Sequence, residues 1–250
     1  MRSRMHRTRL ADLSSLAQQD ERFSPGSLPM VEAMLRARRR RGAGRVALAA
    51  ARYAALGWPV CAGAYPADRE PQPGAPGRSC SCDRIGCPAP GAHPLSPAWK
   101  LQATVDEAIV RMWWAAMPQA GILLVTGRSF DVLDVPASAG LAALSTMERS
   151  GVRPGPVAVS AQERALFFVA SRAALAEDDE WWSCHLDCEP EMVPTVAGLR
   201  WHCKDSYVLA PPSRLANGLA ARWLREPGQE PLPDALRLIE YLADACEQTA

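Results

Sequence analysis

The sequence predicts an α/β (α+β) fold, with most of the chain in one domain. Segments with the pattern of strands alternate with segments of helical period along the 250 residues, as in α/β and α+β proteins. Hydrophobic residues make up 48% of the chain and charged residues 22%, which is ordinary for a soluble globular protein. No apolar run approaches the roughly 18 residues that cross a membrane, and none follows the basic N-terminus as in a signal peptide. We therefore expect a cytoplasmic protein with no membrane partner.

The N-terminal segment is strongly basic. Residues 1–45 hold 11 arginines and 4 acidic residues, a net charge of +7, whereas the whole chain has a net charge of +1. We predict that residues 1–43 form a disordered arm that contains a short helical signal. This signal ends in four consecutive arginines, Arg38, Arg39, Arg40 and Arg41. They could bind nucleic-acid phosphates through counterion release, or they could form a solvated tail.

The first elements of the domain are bounded by Gly and Pro. Gly57 ends a helix of alanines and large apolar residues, and Pro118 closes a second helix in which Thr104 is the expected N-cap. Gly127 and Arg128 form a tight turn between two apolar strands. The predicted elements are helices over 45–56 and 104–118 and strands over 58–64, 120–127 and 129–135.

The second half continues the alternation. A helix over 137–151 is expected to stop at Gly151, and 157–162 and 164–171 have the pattern of a paired hairpin. The stretch 205–213 predicts a last core strand that prolines end. We place the main domain at 44–228 and an amphipathic C-terminal helix within 229–250.

Several stretches occur in an order typical of one family. They are ALGWPV, CSCDRIGCPAPGAHP, ATVDEAIVRMWWAAMP after Trp99, GILLVTG, DVLDV and YVLAPPS. Between about Ala47 and Arg214 the chain resembles the N-terminal domain of bifunctional DNA primase/polymerases, the prim-pol branch of the archaeo-eukaryotic primase superfamily, in a small stand-alone actinobacterial form. The resemblance implies a mixed sheet packed by helices. It also implies template-directed nucleotidyl transfer with Mg²⁺ or Mn²⁺, with nucleotides and DNA or RNA as partners. A replication protein is a further candidate partner.

The resemblance implies where catalytic carboxylates should lie. The family has an acid-x-acid pair on one face of a strand; Asp134 matches the first acid, but Pro136 stands at the second. Asp131 should point to the opposite face, towards solvent. The third acid falls in a stretch that offers Arg200, His202 or Asp205. The candidate catalytic residues are therefore Asp134, Asp131 and Asp205, in a site that has lost acids; Asp134 could instead be a strand-end residue bonded to loop amides.

A family histidine that contacts nucleotide phosphates is also replaced. In the matching stretch SAQERALFF, Ala165 stands where the resemblance puts the histidine. Arg164 is its neighbour and is a candidate phosphate-binding residue.

A cysteine-rich loop over 78–95 predicts a structural zinc site. It contains C-x-C-x4-C-x5-H, and four such ligands in fourteen residues can surround a tetrahedral Zn²⁺. The resemblance supports this prediction, since many members of that family have a similar loop. The alternative is that the thiols bind no metal. The predicted ligands are Cys80, Cys82, Cys87 and His93.

A second group of cysteines and histidines leaves two interpretations open. Cys184, Cys188, His202 and Cys203 could bind a second metal, but adjacent side chains point apart in extended chain. Packed thiols and a hydrogen-bonded histidine are the other interpretation.

Three functions remain open on the sequence. The resemblance implies a DNA primase/polymerase, whereas the missing acids favour a non-catalytic module that binds nucleic acid or a replication partner. The third alternative is a zinc-stabilised structural protein.

Overall fold

The structure is a computed structural model that describes residues 27–66, 80–82, 87–172, 191–192, 196–215 and 217–249. Residues 1–42 and 43–250 belong to two compact units. In the first, the described residues form the N-terminal part of a helix that begins at Ser27, within the predicted arm. The boundaries predicted at 43, 228 and 229 stay predictions.

Five helices and nine strands are present among the described residues. The helices are α1 (Ser27–Ala55), α2 (Trp99–Gln102), α3 (Glu107–Ala116), α4 (Ala137–Arg149) and α5 (Ala235–Thr249). The strands are β1 (Val60–Gly63), β2 (Gly121–Val125), β3 (Phe130–Pro136), β4 (Val157–Val159), β5 (Arg164–Ala170), β6 (Glu191–Met192), β7 (Arg200–His202), β8 (Tyr207–Leu209) and β9 (Arg222–Arg225). No described helix has the length and apolar character that crossing a bilayer requires.

The strands form two sheets, which confirms the α/β class. One sheet has the order β1-β2-β8 and the other β6-β7-β3-β5-β4-β9. Every pairing between the described strands is antiparallel, so the mixed sheet implied by the resemblance is here a pair of antiparallel sheets. The predicted hairpin is confirmed as β4 and β5. The turn at Gly127 also forms, with φ at +84°, but it carries the chain from the first sheet into the second.

Helix boundaries follow local capping. Asp106, not the predicted Thr104, caps α3, because its carboxylate accepts hydrogen bonds from the backbone N–H of Ala108 and Ile109. Thr104 instead accepts from the backbone N–H of Asp106 through its hydroxyl. The predicted end of α4 is correct, since Gly151 has φ of +69° directly after the helix.

Two buried clusters cover the two faces of the larger sheet. The first lies between the sheets and includes Trp58, Trp114 and Phe168. The second lies between the larger sheet and helices α4 and α5, where Leu238 and Leu242 are fully buried. Side chains alternate along β3, so its even-numbered residues face the first cluster and its odd-numbered residues the second. This alternation decides which polar side chains can meet.

Candidate active site and metal-binding loop

Asp134 lies on the face of β3 that points between the two sheets, and its side chain is only 7% exposed. One carboxylate oxygen, Oδ1, accepts a hydrogen bond from Nε of Arg164 at 2.6 Å. The other, Oδ2, lies 3.2 Å from Nε2 of His202. Both oxygens therefore have a nitrogen partner within the protein.

Arg164 reaches Asp134 because of strand register. It pairs across the sheet with Pro136, so both residues lie on the Asp134 face. Its NH2 group also donates to the backbone carbonyls of Asp134 at 3.1 Å and Gly198 at 2.6 Å. Ala165 points the other way, into the cluster beneath α4. Arg164, rather than Ala165, is thus the residue of this stretch that faces the site.

The strand β7 contributes two further nitrogen-bearing side chains. Arg200 is directly opposite Asp134, and His202 is opposite Val132, so both share the Asp134 face. His202 is oriented from behind, because its Nδ1 lies 3.0 Å from the hydroxyl oxygen of Ser206. Ser206 is 1% exposed, so this hydroxyl positions the imidazole and is not accessible as a nucleophile.

Arg200 differs from the other members of the site. Its Nε is buried and has no hydrogen-bond partner, and no ion pair to its guanidinium is formed by the described residues. An unpaired buried donor is unfavourable. Arg200 is therefore the charged side chain of the site that no described residue neutralises.

These side chains open onto one pocket, with a volume of about 170 Å³. Asp134 is the single carboxylate among the described residues that line it, against the two guanidinium groups of Arg164 and Arg200. The pocket is therefore net positive whatever the protonation state of His202. Further polar lining is provided by Ser160, Gln162 and Tyr207.

The other two candidate carboxylates do not converge on Asp134. Asp131 does point to the opposite face of β3, as expected, but it does not face solvent: it is 1% exposed. Its Oδ2 accepts hydrogen bonds from Nε1 of Trp201 and the backbone N–H of Arg172, and burial raises its pKa. Asp205 is half-exposed and lies 3.9 Å from the ammonium group of Lys100.

The described residues do not fit a pair of divalent cations. Mg²⁺ and Mn²⁺ need several oxygen ligands, of which carboxylates are the main charged ones. Here Pro136 supplies no side-chain ligand, and the guanidinium of Arg164 already pairs with the one carboxylate among the described residues of the pocket. Two arginines near the site repel cations and attract anions.

The predicted zinc ligands come together. The sulfur atoms of Cys80, Cys82 and Cys87 and a ring nitrogen of His93 all lie within 4.8 Å of one another. Nε2 of His93 is 3.3 Å from Sγ of Cys80 and 3.4 Å from Sγ of Cys87. Tetrahedral zinc sets sulfur and nitrogen ligands about 3.5 Å apart, from bonds of about 2.3 and 2.0 Å. The cluster can therefore hold a metal ion of this size and coordination.

Hydrogen bonds within the same loop affect how well its histidine and cysteine side chains can bind a metal. Nδ1 of His93 lies 2.8 Å from the carbonyl oxygen of Pro94, which leaves Nε2 to face the sulfurs. Burial raises the pKa of Cys87 to about 11. Burial also acts on Cys80, but hydrogen bonds from the backbone N–H of Cys82 and other neighbours outweigh it and lower the pKa of Cys80 to about 7. Thiolates are the form that binds metal, so the hydrogen bonds to Cys80 favour its metal-binding form.

The metal loop also forms part of the pocket wall. Ala89 and Ala92 line the pocket that contains Asp134 and Arg200. Both alanines lie between or beside the metal ligands Cys87 and His93. The position of this wall therefore depends on the geometry of the metal cluster.

The remaining predicted residues are described only in part. Cys184 and Cys188 lie outside the described residues, and Cys203 is disulfide-bonded, so it is not the packed thiol we expected. His202 is hydrogen-bonded as predicted. Of the four consecutive arginines, whose backbone lies in α1, only the side chain of Arg41 is described, and it is exposed.

Sequence reasoning named Arg200 and His202 only as replacements for a missing acid. Strand alternation in the segment RWH could have shown that Arg200 and His202 lie together, because residues i and i+2 of a strand share a face. No pattern in the sequence pointed to Ser206, because the turn between β7 and β8 is what brings its hydroxyl next to His202.

Comparison with protein families shows which family the chain resembles. Residues 50–235 match the family described as bifunctional DNA primase/polymerase, N-terminal. This range extends from the C-terminal part of α1 to the start of α5 and contains both the pocket and the metal loop. No curated protein matches the chain significantly.

Proposed function

Because the chain belongs to the bifunctional DNA primase/polymerase family, we propose that it is a member that binds nucleic acid and nucleotides without two-metal nucleotidyl transfer. The family as a whole carries out metal-dependent nucleotidyl transfer of the primase/polymerase type. In this chain, Arg164 and Arg200 are the proposed phosphate-binding groups, Asp134 and His202 lie beside them in the pocket, and Asp131 and Asp205 serve other roles.

The observation that carries the proposal is the pairing of Asp134. Its two oxygens contact Arg164 and His202, and its strand has Pro136 where the family has a second acid. A cation that used Asp134 would have to displace a guanidinium held by three hydrogen bonds. Loss of the acids with retention of positive side chains favours binding of phosphate over transfer of a nucleotidyl group.

We propose zinc as the metal of the loop and a structural role for it. Three sulfur atoms and one imidazole nitrogen are the donor set that zinc prefers in structural sites. The three cysteines of the loop are free, whereas Cys203 is disulfide-bonded, and we expect the protein in the cytoplasm. Binding to a replication protein remains a prediction to which the described residues add no argument.

Activity and binding should be measured on the same preparation. Primer synthesis and primer extension are assayed with Mg²⁺ and with Mn²⁺, and binding of single-stranded DNA is followed by fluorescence anisotropy as a function of salt. We expect DNA binding and no nucleotidyl transfer. Template-dependent synthesis that disappears on Asp134→Asn would contradict the proposal, and a protein that binds zinc but no DNA would favour the purely structural alternative.

The basic helix provides a separate test of DNA binding. If Arg38, Arg39, Arg40 and Arg41 contact phosphates, their joint replacement by Gln should weaken binding and flatten the dependence of affinity on salt. An unchanged salt dependence would identify these arginines as a solvated segment.

A further inference from the structure

We propose that the pocket binds a phosphate group directly through Arg200, with no divalent cation between the protein and the phosphate. The inference rests on the proposed function and makes it specific: the ligand is a phosphate-bearing anion that a guanidinium binds directly. The shared chemistry is the phosphate, whether it belongs to a nucleotide or to nucleic acid.

The two arginines of the pocket differ in how far their positive charge is neutralised by neighbouring groups. The guanidinium of Arg164 donates to Asp134 and to two backbone carbonyls, so its charge is largely compensated. Arg200 has no such partner among the described residues, and its Nε is a buried donor without an acceptor. The uncompensated positive charge of the pocket therefore belongs to Arg200.

Arg200 shares the pocket with several polar side chains. Arg200 lies directly across from Asp134 in the sheet, and both residues line the pocket together with Ala89 and Ala92 of the metal loop. A phosphate beside Arg200 would also be within the same pocket as Gln162, Ser160 and Tyr207. A guanidinium with hydroxyl and amide groups nearby is suited to a multiply charged oxyanion, because it can donate two parallel hydrogen bonds.

The change Asp134→Asn has opposite effects on triphosphate affinity in a two-metal site and in the site proposed here. In a two-metal site, Asp134→Asn removes a cation ligand and weakens binding of a triphosphate. In the site proposed here, the same change removes the one negative charge of the described wall, which neutralises Arg164 in the wild type, so binding becomes tighter. Divalent cations should weaken binding or leave it unchanged, since they neutralise the triphosphate before it reaches the arginine.

The experiment measures the affinity for inorganic tripolyphosphate by isothermal titration calorimetry in metal-depleted buffer. Chelator is omitted so that the cysteine loop keeps its metal, and the titration is repeated with Mg²⁺. The variants are Arg200→Gln, Asp134→Asn and, as a matched control, Arg222→Gln, which changes an exposed strand arginine outside the pocket. Thermal unfolding confirms that each variant is folded.

We expect tripolyphosphate to bind without Mg²⁺. Arg200→Gln should weaken the affinity about tenfold to a hundredfold, the effect of losing a charged hydrogen-bond donor. Asp134→Asn should strengthen it, and Arg222→Gln should leave it unchanged. Competition with dGTP and with single-stranded DNA then distinguishes the source of the phosphate, because the natural source displaces tripolyphosphate from the pocket.

Each other result overturns the inference in a distinguishable way. Binding that requires Mg²⁺ and is lost in Asp134→Asn would refute both the inference and the proposed function. No tripolyphosphate binding by a protein that still binds DNA would refute the inference alone. Equal losses in Arg200→Gln and Arg222→Gln would show diffuse electrostatic attraction and no site at Arg200.

Discussion

Replacing Asp134 by Ala should destabilise the fold through Arg164. The variant leaves a guanidinium whose side chain is 17% exposed without its carboxylate, which is 7% exposed in the wild type. Removing one partner of a buried ion pair costs about 3–5 kcal/mol. Arg164 keeps hydrogen bonds to the carbonyls of Asp134 and Gly198, so we expect a loss at or just below the bottom of this range, about 2–3 kcal/mol. For a domain of this size that corresponds to a fall in Tm of roughly 4–12 °C.

The assay is thermal and urea unfolding of the wild type, Asp134→Ala and a control variant. Glu148→Ala is the control, because Glu148 also pairs with an arginine, Arg225, but both side chains are about half exposed. Exposed pairs contribute roughly 0–1 kcal/mol. Tripolyphosphate should restore part of the Tm of Asp134→Ala, since the anion replaces the lost carboxylate near the arginines.

A loss in Asp134→Ala no larger than in Glu148→Ala would refute this reasoning. It would mean that the carboxylate and guanidinium are not held together in the folded protein. Asp134 would then be free to bind a cation, and the argument against a two-metal site would fail.

Three further predictions concern the rest of the fold. Cys87→Ser should lower the zinc content measured by mass spectrometry and lower Tm, whereas Cys246→Ala, outside the loop, should leave the zinc content unchanged. Burial raises the pKa of Asp131 above its ordinary 3.8, so the protonated form is favoured in the fold. The protonated Asp131 side chain stabilises the fold below pH 3.8, and this stabilisation is lost as the pH rises through the raised pKa. In urea unfolding, Asp131→Asn should therefore stabilise the protein at pH 7 and not at pH 3. Gly140→Ala should cost about 1–3 kcal/mol, because its Cβ would lie 2.2 Å from the Cβ of the facing residue in β5; Gly44→Ala, with open space around it, should not destabilise.

Most of the fold could be predicted from periodicity and punctuation. The apolar strand β3 and the hairpin of β4 with β5 follow from local pattern, and Gly151 marks the end of α4 by its backbone freedom. The division into two sheets could not be predicted, because the turn at Gly127 is equally compatible with a hairpin. Which strands pair is decided by contacts between residues far apart in sequence, such as Leu123 with Leu209.

The metal loop was predictable and the pocket was predictable only in part. The spacing of cysteines and histidine is local, so four ligands within fourteen residues can meet without knowledge of the fold. Asp134 and the missing acid at Pro136 also followed from the sequence. The partners of Asp134 did not, because Arg164 and His202 reach it from two other strands. The burial of Asp131 was missed for the same reason: α4, α5 and Trp201 cover that face of the sheet.

The most direct test of the proposed function is to count Mn²⁺ bound by the protein through its electron paramagnetic resonance signal. Mn²⁺ is titrated into wild type and Asp134→Asn, each with and without dGTP. We expect no Mn²⁺ binding that depends on Asp134, because that carboxylate is already paired with Arg164 and His202. Stoichiometric Mn²⁺ binding by the wild type that is lost in Asp134→Asn would contradict it and identify the pocket as a metal-dependent active site.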